Sequence, residues 1–391
     1  MLPLEGIKIL DFTTLLPGPY ATQLLADMGA EVLRIEAANR PDLLKYMPPM
    51  VGKVSAAHAT INRNKKSLAI DLKHKEAKSI VHDLLKEYDV VIEQFRPGVM
   101  SKLGLGYEEL KAVQPKIIYC SVTGYGQTGP MKDKAGHDIN YLALSGLASY
   151  SGREETGPVL SATQIADIAG GSHHAVMAIL AAVIQRLKTQ QGQYLDISMS
   201  DAALALNTMF GAGATATGKS PEYGQEMLNG GLFYDYYQTA DKRYLSIGSL
   251  EPVFAIGLLK QLGLESYQSM LSDQRLETQK KLKKAISEVI KAQSFDHWRE
   301  VFAELDLCVE PVLSVSEAID HPHFKSRGML SVAMDQNGVE IKQITSPLPF
   351  KRSLPYRSGS NLGAESKEVL STFYEQDKIN NLISQKCILV D

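Results

Sequence analysis

The sequence predicts an α/β protein with a parallel sheet in a large lobe and a smaller α+β lobe behind it. Short apolar runs alternate with helical stretches over roughly the first 200 residues, and the pattern changes character between residues 220 and 340. Ile7–Asp11 is the first apolar run, broken by Leu15-Leu16-Pro17-Gly18-Pro19 before a helical stretch, Tyr20–Met28, and a second run, Val32–Glu36. The unit recurs with Ser67–Leu72 as strand, Glu76–Glu87 as amphipathic helix, Val90–Glu93 as strand and Ile117–Thr123 as a further strand. Strands joined through helices run parallel, because the helical crossover returns the chain to the same end of the sheet. Gly124–Pro130 is a loop, since its glycines and proline forbid regular structure. A long helix from about Gly170 to Lys188, a strand at Tyr194–Met199 and helix from Asp201 rejoin the first lobe.

The second lobe opens with a strand pair, Leu232–Gln238 and Tyr244–Gly248, followed by helices at Pro252–Leu262 and Thr278–Lys291. Asn337-Gly338 between alternating runs signals a two-residue hairpin with positive φ at both central positions, closing this lobe. The expected division is a large domain over 1–215, a small domain over 216–340, and a segment 341–391 that returns to the large domain or straps a partner chain.

At 391 residues, 44% hydrophobic and 22% charged, the composition is that of an ordinary globular protein. A formal net charge of -3 gives no general attraction to nucleic acid or to an anionic membrane. Any anionic ligand must be held by local positive charge. Cys120, Cys308 and Cys387 are too few and too scattered for a disulfide framework or a metal cluster, which fits a reducing cytoplasm. The start of the chain lacks the basic and apolar regions of a secretory signal. The longest apolar run, Ala175–Ile184, falls short of the ~20 residues of a membrane span and reads as a buried helix. A glycine-spaced dinucleotide fingerprint is missing after the first strand, which argues against a nicotinamide cofactor.

Chemistry concentrates in Gly136-His137-Asp138-Ile139-Asn140-Tyr141. A histidine there accepts and returns protons near neutral pH, but the pattern by itself favours His137 as a cap of the following helix or a partner of a loop carbonyl. Asp167 stands at the start of the long apolar helix, where it reads both as an N-cap and as a carboxylate at the mouth of a site; the pattern by itself favours the cap. Glu251 precedes Pro252 at a strand end, as another cap or a pocket carboxylate. Basic residues gather at Asn62-Arg63-Asn64-Lys65-Lys66 and at Arg96, a pattern that suits phosphate binding or a solvated surface. The histidines at 173–174 and 321–323 lack zinc-site spacing, and no metal is expected.

Together, Leu4–Asp11, Pro17-Gly18-Pro19, Leu25–Val32, Arg96-Pro97-Gly98-Val99 and Gly124–Pro130 resemble the class III CoA-transferase superfamily, also called the carnitine-dehydratase and bile-acid-inducible family. Within it the chain is most similar to the α-methylacyl-CoA racemases. The resemblance implies a Rossmann-like large domain, a smaller domain and an interlocked homodimer. It also implies an acyl-CoA substrate, with coenzyme A entering as part of that substrate and no separate cofactor. On this resemblance Arg63, Lys65 and Arg96, with Arg34, become ligands for CoA, and Asp138 and Tyr141 are grouped with them.

In the racemases a histidine of a Gly-His-Asp-Ile-Asn-Tyr motif and an aspartate 30 residues later flank the α-carbon, matching His137 and Asp167. A supporting glutamate matches Glu251. The resemblance therefore implies racemisation of 2-methylacyl-CoA through an enolate, with one base on each face. The alternative within the same family is CoA transfer between carboxylic acids through an anhydride on Asp167. Formyl-CoA-type transferases resemble one another in a glutamine where this chain has Leu16. A third reading is a catalytically silent CoA-binding protein, which loss of the pocket histidine or carboxylate would mark; both are present.

Overall fold

In the computed structural model, which describes residues 1–350 and 356–391, six short apolar segments pair in parallel. They are β1 (Lys8–Phe12), β2 (Glu31–Ala37), β3 (Lys65–Ile70), β4 (Val90–Glu93), β5 (Ile118–Thr123) and β6 (Gln193–Ser198). Their spatial order is β6-β5-β4-β1-β2-β3, and β7 (Ile388–Leu389) extends the far edge antiparallel to β3. The chain thus builds outward from β1 in one direction, then returns to β4 and builds outward in the other. Crossovers on the two sides of such a reversal leave a crevice at the carboxyl ends of the two central strands. Here those strands are β1 and β4.

Both faces of the sheet are covered, so β4 and β5 are buried along their whole lengths. Such strands read as continuous apolar runs, not alternating ones. The helices that position the site are α1 (Pro17–Asp27), α2 (Asp138–Leu144) and α3 (His173–Thr189), the last preceded by a π-helical segment, Ala166–Ser172. Ala166–Thr189 as a whole is long and apolar enough to cross a membrane by length and composition alone; it packs on α1, and 44% of its most apolar window is buried. Leu10, Leu33, Leu68 and Val91 of the sheet share one apolar cluster with Ile80 and Leu84, and with Leu370, Ile379, Leu382 and Ile388 near the end of the chain.

The chain divides into two units. The first comprises Met1–Ser145, Ala162–Leu206 and Pro322–Asp391, and the second comprises Gly146–Ser161 and Asn207–His321. These bounds correct the sequence expectation of a small domain over 216–340. The hairpin of Leu330–Met334 and Glu340–Ile344 belongs to the first unit, where Arg63 donates to the Ile344 carbonyl at 2.8 Å and Gln343 donates to the Ala59 carbonyl at 3.1 Å. Its turn also differs from the expected form. Gly338 alone has positive φ (79°), while the Asp335 carboxylate accepts from the amides of Asn337 and Val339 across a longer loop. An aspartate side chain replaces the paired backbone geometry of the two-residue turn. The C-terminal segment packs into the first unit's core.

The second unit has an antiparallel sheet of Asp235–Gln238, Tyr244–Ile247 and Val309–Pro311. Its own core joins Phe233, Tyr237, Leu245 and Ile247 to Leu258, Leu282, Ile286, Phe295 and Trp298. Helix α4 (Pro252–Gln261) starts with proline at its first position and takes Glu251 as N-cap residue. The upstream piece 146–161 belongs here because Arg153 pairs with Asp235 and donates to the Asn229 carbonyl.

Candidate active site

A cleft of about 320 Å³ opens in the first unit at the ends of the central strands. Leu15, Leu16 and Pro17 after β1, Gln94 to Pro97 after β4, and Val122 to Tyr125 at the end of β5 line it, together with His137, Tyr141, Asp167 and Met199. This is the crevice that the strand order dictates.

Its floor is built from backbone held by side chains. Asp11 at the end of β1 accepts from the Thr13 amide at 2.9 Å and from the Thr22 hydroxyl at 2.5 Å, tying α1 beneath the strand. Gln94 accepts from the Gly18 amide at 2.9 Å, satisfying one of the free donors at the start of α1. The Ser172 hydroxyl donates to the Pro17 carbonyl at 2.6 Å, so the π-helical segment is stitched to the same turn. A Cβ on Gly171 would sit 3.2 Å from that of Pro17 and 3.0 Å from the Met199 side chain, so glycine lets these backbones approach closely.

His137 is the N-cap residue of α2, and its ring is exposed in the cleft. Asn140 reaches back to accept from the His137 amide at 3.0 Å, which fixes the backbone on which the ring is mounted. Tyr141 is buried and donates to the Gly136 carbonyl at 2.7 Å; burial, with Asp167 beside it, pushes its hydroxyl up to about 12. Asp167 lies half-buried in the first turn of the π-helical segment. Burial first, then the Asp138 carboxylate, push Asp167 up to about 6, while His137 pulls the other way. A carboxyl group titrating there is a usable base at neutral pH that also holds its proton well enough to return it.

The N-cap role expected for Asp167 falls instead to Asp138. Its Oδ1 accepts from the Ala166 amide at 2.7 Å and from the Asp167 amide at 3.0 Å. Asp138 is not among the side chains lining the cleft.

Arg96 is exposed in the cleft, and Lys132 and Lys134 stand on the same rim. The sequence reading missed these two lysines, although Lys132-Asp133-Lys134 lies just before the His137 segment. The structure corrects the expectation that Arg34, Arg63 and Lys65 offer their charges to a ligand. Arg34 is 2% exposed and paired with Glu36 and Asp42. Arg63 is fully buried against Asp27. Lys65 is spent on Asp11, Thr22, Asn62 and the Pro19 carbonyl. Glu251 stands exposed in the second unit at the start of α4. A further cavity, about 570 Å³, lies wholly within the second unit between Tyr150, Phe210, Tyr234 and Tyr236.

A doubly wound sheet with a basic rim and a histidine and a carboxyl group at its switch point has the form of an enzyme site for an anionic substrate. Sequence comparison agrees: residues 4–360 match CoA-transferase family III, and the chain belongs to that family. It is 33% identical to human alpha-methylacyl-CoA racemase, over 98% of this chain and 97% of that one. It is 30% identical to human succinyl-CoA:glutarate CoA-transferase, over 98% of this chain and 89% of that one. The crystal structure of a CAIB/BAIF family protein from Brucella suis superimposes with a TM-score of 0.84 at 28% identity, covering 95% of this chain and 99% of that one.

Proposed function

We propose that this protein is an acyl-CoA racemase that interconverts (R)- and (S)-2-methylacyl-CoA by proton transfer at the α-carbon. The observation that carries the reading is that His137 and Asp167, distant in sequence, line one cleft. A thioester α-proton is a weak acid, so its removal needs a base in contact and donors for the developing enolate oxygen. With one base on each face, either enantiomer is deprotonated by the nearer group and reprotonated by the other. The relatives named as a racemase and as a transferase differ by only three percentage points in identity, and His137 in the cleft is what supports the racemase reading. Acyl transfer through an anhydride on Asp167 requires no base at position 137.

In this reading Arg96, Lys132 and Lys134 hold the CoA phosphates, and coenzyme A enters with the substrate, with no further cofactor. The protein acts in the cytoplasm, in the metabolism of branched acyl groups, as a homodimer. Support for the dimer comes from the helix Thr208–Thr217, which buries none of its residues within the chain, and from Met177, Ile184 and Leu187 exposed along α3.

The test is incubation with (R)-2-methylacyl-CoA in heavy water without an acceptor acid. Deuterium entering the α-position with loss of optical activity supports the racemase. Absence of exchange, with CoA passing to an added carboxylic acid and an acyl group trapped on Asp167, establishes the transferase instead.

A further inference from the structure

The sequence motif sets Asp138 beside His137, and the fold sets it across from Asp167. One carboxylate oxygen accepts from two successive amides, at 2.7 Å and 3.0 Å, at the start of the segment that carries Asp167. Those amides belong to the first turn of a helical stretch, where no intrahelical acceptor exists. Residue 138 thus joins the turn bearing one proton-transfer group to the turn bearing the other, through hydrogen bonds that a charged acceptor makes short and strong.

We propose that Asp138 is a positioning residue: its carboxylate fixes Asp167 relative to His137 and sets the charge against which Asp167 gives up its proton. The inference rests on Asp167 acting as a base and replaces the CoA-binding role that the sequence suggested for residue 138. Asp138 acts on Asp167 through space as a like charge, which disfavours the ionised form and strengthens the base. The other titratable groups nearest this turn are His137 and Tyr141. The elements packed on Ala166–Ser172 from its remaining sides also carry titratable groups: Tyr20 and Asp27 on α1, Asp201 on the helix Met199–Ala205, Tyr194 and Asp196 on β6, and His173 and His174 on α3.

Asparagine keeps an oxygen acceptor for both amides and removes the charge, whereas alanine removes both. The experiment is the carboxyl ¹³C titration of Asp167 in aspartate-labelled wild type, D138N and D138A, assigned with D167N, alongside the pH profile of α-proton exchange. In D138N the Asp167 titration, near pH 6 in the wild type, falls by about one unit, and the acid limb of the exchange profile moves with it, while KM for the thioester holds. In D138A exchange from both faces falls about 100-fold, as expected when two groups lose their alignment. An Asp167 titration unmoved in both variants overturns the proposal, as does a rise in KM with kcat intact, which marks a ligand role. The carboxyl titration is read on the free protein, so it stands whether or not the wild type racemises its substrate.

Discussion

Arg63 grips Asp27 through Nε and Nη2, and neither side chain reaches solvent. The pair locks β3 to the end of α1 at a point away from the cleft. Removing Arg63 leaves the Asp27 charge buried with the Asn64 amide but without its ion partner, which costs about 3–5 kcal/mol. Arg63→Ala is therefore expected to lower the urea midpoint sharply. Arg96→Ala, made on an exposed cleft residue, should leave that midpoint unchanged and raise KM for an acyl-CoA about 10- to 100-fold with kcat largely kept. Equal destabilisation of the two variants would contradict this division.

In the proposed racemase, loss of either base should stop racemisation without stopping all exchange. His137→Ala and Asp167→Ala are each expected to lower the rate about 100- to 10,000-fold. The remaining base should still exchange the proton on its own face, so one enantiomer of the substrate takes up deuterium in each variant. Proton NMR of each pure enantiomer in heavy water reads this directly.

Asp167 must be ionised to abstract a proton, and burial raises its folded value to about 6. Exchange through the Asp167 face is thus expected to rise with pH, tenfold per unit, up to about pH 6 and then level off. A plateau reached near pH 4 would mean that the carboxylate is solvated as in an ordinary surface aspartate.

Glu93, at the end of β4, is 4% exposed, and burial, with Asp196 adding to it, pushes it up to about 7. Because the folded value lies above the unfolded one, its contribution to stability is complete below about pH 4.5 and is lost as pH rises through about 7. The loss is on the order of 3 kcal/mol. Glu93→Gln should abolish that part of the pH dependence and be most stabilising, relative to the wild type, above neutral pH. Denaturant melts at pH 5 and pH 8 provide the comparison.

A homodimer predicts a sedimenting species of twice the 42.9 kDa chain mass. Replacing Met209, an exposed residue on Thr208–Thr217, by lysine should shift the boundary toward the monomer, because the proposed contact would then bury charges.

Much of the large unit was legible because a sheet buried on both faces writes itself as apolar runs. Val90–Glu93 has the same ends in sequence and in structure; β1, β2 and β6 differ from expectation by one residue at each end, and β5 by one residue at its start. The residue pattern alone favoured caps for His137 and Asp167, and only the family resemblance paired them; the structure brings both to one cleft. The fate of Arg63 and Lys65 was not legible, since a run of polar and basic residues looks solvated until its partners are known. Those partners, Asp27 and Asp11, lie 36 and 54 positions away. Capping by Asp138 was hidden for the same reason, with the amides that it binds 28 and 29 residues downstream. The second unit's first piece, 146–161, carries no local mark of belonging with residues past 207, because what joins them is a long-range ion pair between Arg153 and Asp235.

The edge strand β7 pairs with β3, and Leu382 and Ile388 fill the same apolar cluster as Leu10 and Leu33. During synthesis, then, the first strands emerge more than 300 residues before the piece that completes their core. The large unit cannot close its core until that piece has been made, whereas the second unit has all its segments by residue 321 and is free to fold first. A truncation at residue 380 should leave a chain whose second unit is native and whose parallel sheet remains open to chaperones and proteases.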